Sequence, residues 1–175
     1  MPKKFMVLAL TLAALFLCCA ARPASQDQEK PPNWSFKFED YPAAAEFKGK
    51  PAAPILATKS DRMFRTQIRE AAKKGPNFAG HYTVAEWGCG SGCVSVAVID
   101  AVSGKVFAAP FKSLALPLSE SANRREYQGP VYKVNSRLFI ADGCPDEVKC
   151  GTYYYEWNAN RFKLLRSDPQ AAPVK

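Results

Sequence analysis

The sequence predicts an α+β fold: a single twisted antiparallel β-sheet of six or seven short strands, meander-like, with one amphipathic helix packed on one face. Three observations predict it. One stretch, Lys59 to Lys74, carries a helical period between a capping residue and a glycine stop. Beyond it the apolar period drops from 3.6 to 2. The strand-like runs that follow are joined by short, turn-rich connections, which make neighbours antiparallel. Such a sheet needs a cover, and the Phe64/Ile68 face of the helix is the available one.

Taken in order, Trp34, Phe36 and Phe38 alternate with polar residues and read as a short edge strand. Tyr41 to Ala57 holds Gly49 and three prolines, so it reads as loop with one turn of helix at Ala43 to Phe47. In the helix, Thr58 is the cap and Asp61 favours the positive N-terminal end. Phe64, Ile68, Ala71 and Ala72 share one face, Arg62, Arg65, Arg69 and Lys73 form a basic stripe, and Gly75-Pro76 stops the helix. A basic stripe of this kind is either a grip for an acidic partner or a solvated face.

Strands are expected at His81 to Trp87 and Val94 to Ile99, then a turn at Asp100 to Lys105 and a return over Val106 to Ala109. Phe111 to Leu118 is apolar but broken by Pro117, and Ser119 to Gly129 reads as polar loop. Val131 to Val134 and Arg137 to Asp142 form a hairpin around Asn135-Ser136, and Thr152 to Trp157 and Phe162 to Leu165 form another around NANR. Residues 34–166 are thus one domain, followed by a flexible tail over 167–175.

The first 21 residues read as a secretory signal peptide: Lys3 and Lys4, an apolar run from Phe5 to Leu17, then small residues to Ala21. Residues 22–33 are polar and proline-bearing and read as a disordered tether. Cys18 and Cys19 follow the apolar run, where a bacterial lipoprotein carries its lipid. The residue before such a cysteine is small, however, and here it is Leu17 or Cys18. Loss of residues 1–21 removes two lysines and no acid, so the +8 of the whole chain falls to +6. Export argues against a nucleic-acid partner. The basic excess serves solubility and weak attraction to anionic envelope surfaces.

Four cysteines remain after the leader: Cys89, Cys93, Cys144 and Cys150. In an exported chain they form a disulfide framework with three conceivable connectivities. Cys89–Cys93 and Cys144–Cys150 are favoured because each pair brackets a short turn-rich segment. Loops so small gain only about 2 kcal/mol each by chain entropy. Their use is therefore to stiffen two corners, either as contact points or as fasteners of strand ends.

His81 is the only histidine, and an ideal strand puts it on the face opposite Glu86. No serine elbow or second histidine accompanies it, so a structural histidine is expected. Gly88 to Cys93 (GCGSGC) resembles an anion-cradling loop but lacks a phosphate-loop lysine. The cysteine spacing departs from that of structural zinc sites, so no metal and no cofactor are expected. CPDEVKC displays Asp146, Glu147 and Lys149. Tyr154 falls on one face of its strand, and Tyr153, Tyr155 and Trp157 on the other. One of those faces is core, and the other is a surface of the kind that contacts sugars or proteins. The candidate contact residues are His81, Trp87, Ser91, Asp146 and Glu147.

GPNFAGHYTV, WGCGSGC, DAVSGKVF and the closing GTYYYEWNANRFKLL together resemble a family of small exported bacterial proteins of uncharacterised function, over about residues 60–166. The resemblance implies export to a bacterial envelope and no particular activity. The segment YTVAEWGCGSGCVSVAVIDAVSGKVFAAPF also looks like the strand, bridged loop and strand of the periplasmic inhibitors of vertebrate lysozyme. In that family a histidine in the bridged loop plugs the enzyme. Gly90, Ser91 and Gly92 stand there in this chain, so only the local architecture carries over. The expectation is a periplasmic or secreted, non-enzymatic binding or inhibitor-like module whose partner is an envelope protein or glycan. It would meet the membrane only through a lipid on Cys18 or Cys19. A hydrolase working at His81 and a lipid-anchored structural envelope component are the alternatives.

Overall fold

The structure, a computed structural model, describes residues 36–116 and 128–169. The chain divides into two units, Met1–Trp34 and Ser35–Lys175, and all described residues belong to the second. The leader, the tether and the residue pair Cys18 and Cys19 lie outside them.

The fold is α+β, an eight-stranded antiparallel sheet with two short helices. The strands are β1 (Tyr82–Gly90), β2 (Cys93–Asp100), β3 (Val106–Ala108), β4 (Leu114–Ala115), β5 (Gly129–Tyr132), β6 (Leu138–Pro145), β7 (Gly151–Asn158) and β8 (Arg161–Pro169). The order is β1-β2-β4-β6-β7-β8, with β3 paired to β2 and β5 paired to β6. Two meanders, β1–β3 and β5–β8, are thereby joined by the two residues of β4.

The sheet is strongly curled. β1 and β7 are four strand spacings apart in that order, about 19 Å on a flat sheet. Yet the rings of Tyr82 and Trp157 are 5.1 Å apart, and the Tyr82 hydroxyl donates to Asn160 Oδ1 at 2.6 Å. The concave face holds the main core: Tyr82, Val84, Val96, Val98, Leu114, Phe139, Tyr155 and Trp157, closed below by Phe78. Tyr153, Tyr155 and Trp157 share that face, as their alternation requires. The sheet is not closed into a barrel.

The helix packs on the convex face of β1–β2, where Ile68 and Ala72 meet Ala85 and Ile99. Residues Val96 to Ile99 are therefore buried on both faces of the sheet, not one. The single helix expected over Lys59–Lys74 is two, α1 (Lys59–Met63) and α2 (Arg65–Lys73), because Phe64 leaves helical geometry at φ −100° and ψ 25°. That break turns the Phe64 ring onto Trp87, 4.8 Å away. Thr58 and Asp61 form a reciprocal capping box. Gly75, at φ +83°, ends α2 and donates to Ala72 O.

Three further expectations are corrected. Phe36 and Phe38 do not form an edge strand: Phe38–Asp40 is a 3₁₀ turn. The aromatic alternation there reflects anchoring, with Phe36 stacked on Tyr154 at 4.7 Å and the Lys133 ammonium over the Phe38 ring. Ala43 to Phe47 is not helical, because its amides are used elsewhere: Ala43 N donates to Asn135 O and Phe47 N to Gly80 O. β8 continues to Pro169, through the first residues of the expected tail.

Candidate functional site

Both local disulfides are present, Cys89–Cys93 and Cys144–Cys150. Two disulfides fit an oxidising compartment. No helix among the described residues is long and apolar enough to cross a membrane.

The two bridged corners are connected. Cys93 pairs with Ala115, and Ala115 pairs with Cys144, so both bridges sit on one row across the sheet. Residues in register share a face. That face is the convex one, because Cys93 alternates with Ser95, Ala97 and Ile99. At one end of β4, Leu116 N donates to Gly92 O at 2.6 Å. At the other, Asp146 N donates to Ser113 O at 2.8 Å, and Asp146 Oδ1 accepts from Lys112 N at 2.8 Å. The chain around β4 is thus held by the first bridged loop on one side and the second on the other. Gly92 is required there: its φ is +63°, and a Cβ would lie 2.8 Å from Leu116 O. Asp146 and Glu147 hold left-handed backbone at φ 51° and 60°, an arrangement that costs energy in non-glycine residues and tightens the turn.

Beside this row lies a groove of about 720 Å³. Trp87 and Phe64 form an aromatic wall, and Ala97, Val106 and Ala108 contribute apolar surface. Thr58, Ser60 and Asp61 of the helix start, Cys89 of the first bridge and Lys112, Ser113 and Asp146 supply the polar groups. The Trp87 indole N–H is buried and has no hydrogen-bond partner among the described residues. An apolar depression with a few convergent polar groups is the form a ligand site takes.

Of the five expected contact residues the structure brings together two, Trp87 and Asp146, beside the bridge cysteine Cys89, and leaves three apart. Ser91 and Glu147 are exposed at their loop tips and do not line the groove. His81 precedes the other end of β1, eight residues and about 26 Å of strand from Cys89. Its ring lies 4.1 Å from that of Tyr82, and Nε2 is 3.8 Å from Asp100 Oδ1. That carboxylate already accepts from Val102 N and from the Ser103 hydroxyl in its own turn. The surroundings of His81 are therefore those of a turn. Phe64 was legible as a core residue, but its place in the wall follows from the helix break. Lys112 and Ser113 carried no sequence signal at all.

The basic stripe is largely used locally. Arg62 donates to Ala57 O at 2.7 Å, Arg65 to Arg62 O at 3.2 Å, and Lys73 pairs with Glu70 at 2.7 Å. This favours a solvated face over a partner grip. The described residues contain no cluster of three or more histidine, cysteine, aspartate or glutamate side chains placed to hold a metal.

Of the phenols whose pKa is displaced upward, Tyr155 and Tyr132 move furthest. Burial first, then the charges of Tyr153 and Asp146, pushes Tyr155 up to about 12. Burial and then the hydrogen bond to Glu86, 2.5 Å long, raise Tyr132 further. Comparison with protein-family models, with curated proteins and with solved structures finds no match.

Proposed function

We propose that this chain is an exported, non-enzymatic binding module of the cell envelope. It receives its ligand on the convex face, in the groove between the helix start and the bridged row. The observation that supports this reading is the convergence of Trp87, Cys89 and Asp146, from two separate bridged corners, on one depression. The Phe64/Trp87 wall offers apolar contact to a ligand. Stiff corners lower the ordering cost of binding. The surroundings of His81 lend no support to a hydrolase centred on it. The resemblance to small exported bacterial proteins supports the compartment, and the likeness to lysozyme inhibitors extends only to a bridged hairpin.

The test is recovery of envelope proteins and glycans on the immobilised protein, with Trp87→Ala and the Cys89→Ser/Cys93→Ser double variant alongside and thermal stability measured in parallel. Loss of a specific partner from folded variants is expected. Equal recovery by all three forms would overturn the groove's role. The exported reading has its own check, mass spectrometry of the mature N-terminus. A free terminus at Ala21 or Arg22 is expected. An intact Met1 would overturn export, and a lipid on Cys18 or Cys19 would support the envelope-anchored alternative.

A further inference from the structure

β1 is an outer strand of the sheet, and its backbone groups alternate between β2 and the open side. Tyr82 N donates to Phe78 O, so Tyr82 faces outward. By alternation Val84, Glu86 and Gly88 face outward as well, each opposite a partner of β2 with which it exchanges no hydrogen bond. The first half of this edge is already occupied. Phe78 pairs with Tyr82, and the Asn77 side chain takes both groups of Val84, accepting from its N–H at 2.7 Å and donating to its carbonyl at 3.2 Å. Asn77 thus does for Val84 what a neighbouring strand would do.

Beyond Val84 that substitution stops. Glu86 and Gly88 are exposed, and no hydrogen bond to their outward N–H or C=O is found among the described residues. A Cβ built on Gly88 or Gly90 meets nothing within 4 Å. Alongside lies a recess of about 310 Å³ between α2 (Gln67, Glu70, Ala71) with its C-terminal neighbour Lys74 and Tyr132 of β5. Unpaired outward groups on a long edge strand recruit another chain. Native edges are blunted by charge, and the opposite edge, β8, carries Arg161, Lys163 and Arg166. The open half of β1 carries one charge, Glu86.

We propose that the Glu86–Gly88 edge of β1 is a strand-addition site for an extended polypeptide segment of a partner. The guest continues the line that Phe78 and Asn77 begin, and its backbone exchanges hydrogen bonds with Glu86 and Gly88. The recess walls admit one extended chain more readily than the edge of a second folded sheet. The guest residue opposite Glu86 is Lys or Arg, since opposite charges favour directly paired positions. This site is separate from the convex groove and does not depend on it.

The test is a display library of randomised linear peptides selected on the parent protein. Enriched peptides are then synthesised and mapped by amide hydrogen exchange. Peptides with a basic residue that slow exchange at Glu86 and Gly88 are expected. Gly88→Pro removes the outward N–H, at the cost of fixing the local φ, and is expected to weaken binding about tenfold, the worth of one good hydrogen bond. Gly88→Ala keeps the N–H and is expected to bind as the parent. If Gly88→Pro does not fold, a peptide N-methylated at its edge-facing amides replaces it and is expected to lose binding. The proposal is overturned by a library with no binder, by protection mapping to β8 or the groove, or by binding indifferent to both blocks. Self-association through the same two amides would also overturn it.

Discussion

Ser136 is fully buried, and its Oγ serves three backbone groups. It donates toward Phe38 O and Tyr41 O and accepts from Leu138 N. It thereby ties the N-terminal segment to the start of β6, almost a hundred residues on. Ser136→Ala takes the acceptor from the buried Leu138 N, while Phe38 O and Tyr41 O keep their bonds from Tyr41 N and Arg137 N, and is expected to cost about 1–3 kcal/mol in denaturant unfolding. Loss well below 1 kcal/mol would mean that water replaces the hydroxyl. Tyr155 makes a pH prediction. Its folded pKa is about 12 against an ordinary 10.0. Between those values the unfolded chain has released the proton and the folded one has kept it, so stability falls as pH rises. The contribution is complete below about pH 10 and lost through pH 12. Tyr155→Phe is expected to flatten this alkaline decline, and Tyr132, raised in the same direction, accounts for part of what remains.

At the scale of elements, the turn between β2 and β3 depends on Gly104. Its φ is +76°, and a Cβ would stand 2.2 Å from Ala53 O. Ile55 N also donates to Gly104 O, so the turn carries the 50–57 segment with it. Gly104→Ala is expected to destabilise by about 2 kcal/mol from strain alone. A neutral effect would show that the turn and the segment move apart freely. The hairpins were legible because local chemistry writes them: Gly104, Asn135-Ser136 and Ala159-Asn160 stand where the chain reverses. β4 was not legible. Two residues display no period, and its partners Cys93, Val94, Cys144 and Pro145 are supplied by strands far away in sequence. Phe36 and Phe38 misled because alternating aromatics that anchor on a sheet look like a strand of it. Trp87 and Asp146 could be named from residue type and loop context, but their meeting in one groove requires β4 and so could not be read.

Over the whole molecule, the curl of the sheet creates two surfaces of different character, a packed concave core and a convex face bearing the helix, the groove and both disulfides. The bridges differ in access. Cys89 is exposed, whereas Cys144 is 2% exposed. Mild thiol reductant is expected to open Cys89–Cys93 first, as mass mapping of alkylated cysteines would show, because exchange needs access to the sulfur. Its loss is expected to cost about 2 kcal/mol and to leave the fold intact, since the loop it closes is small. The central claim is that the two bridged corners act as one rigid unit through β4. Residue-resolved amide exchange on the Cys89→Ser/Cys93→Ser variant tests it most directly. The account predicts faster exchange at Leu116, beside the lost bridge, and also at Lys112 and Asp146 on the far side of β4. Acceleration confined to Gly90–Cys93, with Lys112 and Asp146 unchanged, would contradict it.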